Sequence, residues 1–227
     1  MTFQQLRNNA RRLVLVPLLA LAAAGVIFRE EAAQVFAEPA PDSNRGAARA
    51  RVVVLGDSLG TSAGKDSYPG VLQRRIEEAG YRYEVVNASR GGDTTGGGLR
   101  RLDEALEGNV EILILELGGN DGLRGHPLES IRGNLVAIIE RAKARGIKVL
   151  LVQMETTPTH GTDYMIAFHK MYGEIAAEQG VELVPFILAG VYGQREYTTD
   201  DIHPNAAGAA KIAETVWGSL EPVLKKR

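Results

Sequence analysis

The chain has 227 residues, 44% of them apolar and 24% charged, which matches ordinary globular usage and suffices for a sizeable core in one domain behind a hydrophobic leader. Its formal charge is −2, and residues 1–50 hold six arginines against four acids, so residues 51–227 carry −4; that balance argues against nucleic acid as a partner. The absence of cysteine excludes disulfides, a thiolate nucleophile, Cys-ligated zinc and a lipoprotein anchor, which needs a Cys at its cleavage site.

In chain order, the first element is the leader. Arg7, Arg11 and Arg12 precede an uncharged stretch from Leu13 to Phe28 that contains Pro17 and an alanine cluster, the pattern of a secretory signal. Its 16 residues fall short of the roughly 20 that span a bilayer. Small residues at Ala22 and Ala24, or at Val35 and Ala37, offer two cleavage sites. Residues 1–37 are therefore expected to be a signal peptide directing export to the periplasm or the medium, or, if retained, an N-terminal membrane anchor. A buried N-terminal helix is the competing reading. It is weakened by the Pro-, Ala- and charge-rich linker over residues 38–50 that separates the leader from the catalytic domain, residues 51–227.

Beyond the linker, strand and helix signals alternate. Strands are expected at Arg51 to Leu55, Tyr83 to Asn87, Val110 to Leu117, Ile147 to Gln153 and Val181 to Pro185. Helices are expected at Tyr68 to Ala79, Leu99 to Leu106, Leu128 to Arg145, Tyr164 to Gln179 and Ala206 to Leu224, the last kinked near Gly218; the first four are each followed by a stopping glycine. Five strands with helical crossovers predict an α/β fold, a parallel doubly wound sheet in three α/β/α layers. Ligands of such sheets lie beyond the carboxyl ends of the strands, near the topological switch point.

The unusual polar segments fall at those ends: Gly56-Asp57-Ser58 after the first strand, Asn87 to Thr94 after the second, and Gly118-Gly119-Asn120-Asp121 after the third. A fourth, Asp200 to His203, precedes the last helix. Acyl transfer needs a nucleophile, a base within reach of it, a group that orients the base, and donors aimed at the developing oxyanion. Ser58 is the candidate nucleophile, with an ordinary helix N-cap as its bland alternative. His203 is the candidate base, and Asp200 the group that holds its tautomer. Asp121 with His126 is a competing pair, but its spacing is five rather than three and Asp121 follows Asn120 in a loop with its own task. Asn120 is the candidate side-chain donor to the oxyanion, against a simple Asx-turn role. Gly92 is the candidate backbone donor, against simple turn chemistry.

These four segments resemble, in order and spacing, the motifs of the SGNH, or GDSL, hydrolase family, in its thioesterase I/protease I/lysophospholipase type and the related arylesterases. The resemblance covers about residues 51–217. It implies a flavodoxin-like sheet, no cofactor and no metal, a Ser58–Asp200–His203 triad, and an oxyanion hole made by the Ser58 and Gly92 amides with the Asn120 side chain. It also implies hydrolysis of small-molecule or lipid esters, aryl esters, lysophospholipids or thioesters, with an acetyl-sugar esterase as the enzymatic alternative. Contact with a membrane surface would come through a lipid substrate or an uncut leader. Two positions bear on substrate: Asp57 beside the nucleophile, and His160 in Thr159-His160-Gly161, where many relatives have Asn-Tyr-Gly. For His160 the bland alternative is an exposed loop histidine.

A nucleotide-binding α/β module is the competing class. Gly60 and Gly64 are separated by three residues rather than four, and Lys65 is followed by Asp66, which repels phosphate. His126, His160, His169 and His203 show no paired ligand spacing for a metal. A catalytically dead binding domain is disfavoured because every triad element is present.

Overall fold

Uninterrupted apolar runs form the middle of the sheet: Val52 to Leu55 and Leu113 to Leu115 are fully buried. Strands covered on both faces read as continuous rather than alternating hydrophobic runs. The computed structural model describes residues 49–226; the expected leader and most of the linker lie outside the described residues.

In chain order the elements are β1 (Ala50–Gly56), α1 (Ser58–Thr61), α2 (Tyr68–Glu78), β2 (Tyr83–Asn87), α3 (Thr95–Arg100), α4 (Leu102–Ala105), β3 (Val110–Glu116) and α5 (Gly119–Leu123). Then follow α6 (Leu128–Ala144), β4 (Lys148–Val152), α7 (Thr162–Gln179), β5 (Glu182–Val184) and α8 (Ala206–Leu220). Single 3₁₀ turns occupy Gly64–Asp66, Pro158–His160 and Glu221–Val223. The five strands are all parallel in the order β2-β1-β3-β4-β5. Helices α2 and α8 pack on each other in one outer layer, and α3, α6 and α7 pack in the other, giving three α/β/α layers. Strand order reverses direction between β1 and β3, the switch point where open α/β sheets bind ligands. Gly56 pairs with Glu116 across these strands, so both end at one level. The loops that follow them, with Ser58 and Asn120, face the same space.

The main differences from the sequence-based elements have local causes. The helix expected at Leu99 to Leu106 begins four residues earlier, at Thr95, and breaks at Arg101 into α3 and α4. Gly96, Gly97 and Gly98 disguise its start, because glycine disfavours helix interiors. Here a side chain has no room: a Cβ on Gly98 would run into Leu117 Cδ1. Thr94 starts the helix by accepting a hydrogen bond from Gly97 N at 3.2 Å. Helix α8 ends at Leu220 rather than bending at Gly218 and reaching Leu224. The stop comes from Pro222, which sits in the 3₁₀ turn and cannot continue the hydrogen-bond ladder. No helix among the described residues is long and apolar enough to cross a membrane.

Candidate active site

Strand β1 delivers the chain into a tight turn at Asp57. The Asp57 carboxylate caps α1, its Oδ1 accepting from Leu59 N at 3.0 Å, and Ser58 opens the helix. Ser58 Oγ lies 2.9 Å from His203 Nε2, although 145 residues separate them. On the other side of the imidazole, His203 Nδ1 lies 2.7 Å from Asp200 Oδ2 and 3.0 Å from Oδ1. A carboxylate accepts only, so Nδ1 carries the proton and Nε2 is left to accept from the Ser58 hydroxyl. That is the tautomer a general base needs.

The loop bearing Asp200 and His203 is pinned at several points. Asp200 Oδ1 also accepts from His203 N at 2.7 Å and from Ile202 N at 3.3 Å. Thr199 N donates to His203 O at 2.9 Å. Asn205 then caps α8 through Ala207 N and Gly208 N at 2.9 and 3.1 Å. The backbone amide and ring of His203 draw the Asp200 carboxyl down from 3.8 to about 2. Asp200 is therefore an anion throughout the neutral range and faces whatever positive charge His203 acquires.

Asn120 sits in the first turn of α5, and its Nδ2 donates to Asp57 Oδ2 at 3.0 Å. A primary amide has two N–H donors; with one fastened to Asp57, the other remains for a ligand. Ser58, His203, Asn120 and Asp57 line one cavity of about 370 Å³. Its remaining wall is largely apolar, from Leu123, Met154, Pro158, Phe186, Leu188 and Ile202.

Gly92 lies outside that lining, in the loop after β2, with a left-handed φ of 72°. Its carbonyl accepts from Arg124 Nη2 at 3.2 Å, which ties the glycine segment to the end of α5. The loop is held more firmly behind Gly92. Asp121, 2% exposed, accepts from Thr95 N at 2.8 Å and Thr95 Oγ1 at 2.9 Å, with His126 Nδ1 at 3.2 Å. The Asp121 and His126 pair is thus a strut between two site loops, and its side-chain hydrogen bonds among the described residues run to Thr95 and within the pair rather than to Ser58.

Two sequence-based substrate positions take other places. Asp57 does line the cavity, but it is 3% exposed with both carboxylate oxygens engaged, so it organises the site rather than reaching outward. His160 is absent from the lining: its Nε2 contacts Leu123 O at 3.0 Å and its ring meets Tyr164 edge-on at 5.8 Å. Its neighbours Thr156, Thr157 and Pro158 form the wall instead.

Two residues escaped the sequence reading. Arg101 is 8% exposed; it pairs with Asp93 Oδ2 at 2.7 Å and donates to Gly56 O at 3.1 Å and to Ala88 O. It clamps the loops after β1 and β2. Glu116 ends β3 with no exposure, under the Ser58 turn. Its place in the sequence, an acid at the end of a strand, carries no local signal of that role.

Residues 54–211 match the GDSL-like Lipase/Acylhydrolase family. The chain is 43% identical to Esterase TesA of Pseudomonas aeruginosa over 183 residues, covering 78% of this chain and 91% of the relative. It is 35% identical to Thioesterase 1/protease 1/lysophospholipase L1 of Escherichia coli K12 over 185 residues, covering 79% and 88%. Superposed on the crystal structure of TesA it gives a TM-score of 0.72 at 40% identity, covering 78% of this chain and all of that one.

Proposed function

Since the chain belongs to the GDSL-like lipase/acylhydrolase family, and is a hydrolase acting on ester bonds, we propose that Ser58 is its nucleophile, His203 its general base and Asp200 the residue that orients the base and stabilises the charge it acquires. The observation that carries this reading is the continuous relay from Asp200 through His203 to Ser58, with links of 2.7 and 2.9 Å. His203 takes the Ser58 proton as Oγ attacks the ester carbonyl. The resulting oxyanion is met by the Ser58 amide, the Gly92 amide and the second N–H of Asn120. His203 then protonates the departing alcohol or thiol, and afterwards activates water to release the acid and restore Ser58. Asp200 stays ionised through the cycle.

The substrate class follows from the wall of the cavity. Its volume of about 370 Å³ sits near the lower end of the roughly 300–1,000 Å³ of small-molecule sites, and its apolar lining suits one aliphatic acyl chain. Esters of single fatty acids, lysophospholipids and aryl esters fit this description, with thioesters as further substrates. An acetyl-sugar esterase would want polar groups for sugar hydroxyls where Leu123, Phe186 and Leu188 stand. The arginine-flanked leader is read as an export signal, so the enzyme meets these lipids outside the cytoplasm.

Hydrolysis of p-nitrophenyl esters from acetyl to palmitoyl, without added metal, tests the reading. Wild type should be active, with a maximum beyond acetyl, and folded Ser58→Ala should lose at least about a thousandfold in kcat, as removal of a triad serine does elsewhere. A Ser58→Ala protein that keeps its activity would remove Ser58 from the mechanism, and a maximum at acetyl would favour the sugar esterase. Mass spectrometry of the same proteins, recovered from cells expressing the full chain, should find an N-terminus after Ala24 or Ala37; an intact leader would instead support the anchor.

A further inference from the structure

Behind the nucleophile turn, two buried carboxyl groups meet. Glu116 is fully buried and Asp57 is 3% exposed. Their carboxyl groups lie close enough to act on each other, and Glu116 Oε2 accepts from Asp57 N at 3.3 Å. Two ionised carboxylates have acceptors only, so such a contact contains a proton.

The hydrogen bonds around the pair say which residue holds it. Both Asp57 oxygens already accept from donors, Leu59 N and Asn120 Nδ2, each at 3.0 Å. An anion is what these donors favour. Glu116 has no comparable set: Oε1 is buried without a hydrogen-bond partner among the described residues. The neighbouring guanidinium of Arg101 is turned to Gly56 O, Ala88 O and Asp93.

We propose that Glu116 is a positioning residue of the reaction, a neutral carboxylic acid that donates to the Asp57 carboxylate and so fixes the acceptor to which both the Ser58 turn and the Asn120 amide are fastened. The proposal rests on the esterase reading above. Glu116 touches no substrate, and it acts through Asp57. Space enforces the contact, because Gly56 is the register partner of Glu116 and a Cβ there would strike Glu116 Oε2. Burial and the Asp57 charge push the Glu116 carboxyl well above its usual value of 4.5. Burial also raises Asp57, whereas its bonds to Leu59, Glu116 and Asn120 and the charge of His203 pull it back. The remaining groups facing the pair are the buried phenols of Tyr68 on α2 and Tyr172 on α7, both pushed well above 10, Tyr68 by burial and these carboxyls and Tyr172 by burial, Asp121 and then these carboxyls. They stay neutral.

A pH dependence follows. Alkali that removes the Glu116 proton leaves two anions in contact, which repel and release the Asn120 amide and the Ser58 turn. Glutamine has no proton to lose and can place an N–H donor at the Oε2 position, toward the Asp57 carboxylate, at the loss of the acceptor that Oε2 offers Asp57 N.

The test uses full-length wild type, Glu116→Gln and Glu116→Ala, with kcat and KM for p-nitrophenyl butyrate measured across pH. Glu116→Gln should keep at least about tenfold more kcat than Glu116→Ala at neutral pH and lack the alkaline decline in kcat expected of wild type. Glu116→Ala should lose about a hundredfold in kcat, the scale of one lost oxyanion donor, at little change in KM. Infrared difference spectra of wild type against Glu116→Gln should contain a protonated-carboxyl band at neutral pH, a readout independent of turnover and of whether Glu116→Ala folds. Absence of that band, an unchanged alkaline limb in Glu116→Gln, or equal losses in both variants would overturn the proposal. Failure of the esterase reading would show separately, as activity surviving in Ser58→Ala.

Discussion

Asn120 has one amide hydrogen on Asp57 at 3.0 Å, and that bond decides what the other hydrogen can do. An unanchored Asn would sample several rotamers and pay for alignment in each turnover; this one is aimed before substrate arrives, which is where electrostatic stabilisation of a transition state is most effective. Asn120→Ala should therefore lower kcat by about 10²–10³, equivalent to roughly 2.7–4 kcal/mol. KM should hardly move, because the ground-state carbonyl asks less of this donor than the oxyanion does. Steady-state kinetics on a short-chain ester check this, with circular dichroism to confirm the fold. A loss confined to KM would make Asn120 a ground-state binding residue.

At the scale of elements, Arg101 marks the break between α3 and α4 and ties it to two segments: the end of β1 through Gly56 O, and the loop after β2 through Ala88 O and Asp93. Arg101 and Asp93 are 8% and 13% exposed as side chains, so removing one leaves a largely buried charge unpaired, at a cost of about 3–5 kcal/mol. Arg101→Ala should lower the urea midpoint by that measure, and Arg101→Ala combined with Asp93→Ala should cost less than the sum of the two. Additive losses would show that the pair is not coupled. This clamp was not legible in the sequence, and the reason is physical. Strands and long helices announce themselves through local periodicity, which is why Tyr83–Asn87 and the starts of α2, α6 and α8 stand where they were expected. The four polar segments were legible because each is short and contiguous. Arg101 and Glu116 act only on partners 8 to 59 residues away, so nothing within a sequence window distinguishes them from a helix-surface arginine or a strand-end acid. The Gly96–Gly98 run misled in the other direction, since its glycines serve close packing rather than a turn.

Taken whole, the molecule gathers loops from four strand ends around one space: Ser58 after β1, Asn120 and Leu123 after β3, Met154 to Pro158 after β4, and Phe186, Leu188 and Tyr192 after β5. The chemical groups lie at one part of that lining, and the rest is mostly apolar with Glu155, Thr156 and Thr157 among it. Leu123 and Tyr192 remain 44% and 49% exposed, so the cavity presents hydrocarbon outward as well as inward. Each methylene that passes from water onto such a wall contributes about 0.8 kcal/mol, close to fourfold in kcat/KM if the contact persists in the transition state. Activity against esters of a common alcohol should thus climb by roughly that factor per added methylene and then level off, because methylenes beyond the wall return to water. The half-buried Phe186 is a suitable place to move the break. Phe186→Trp should shift it to shorter chains by filling space, and Phe186→Ala should shift it to longer ones, with kcat on acetyl esters little altered by either. A profile flat from acetyl upward, or one that neither variant moves, would mean that the acyl chain lies against some other surface and that this wall receives the alcohol instead.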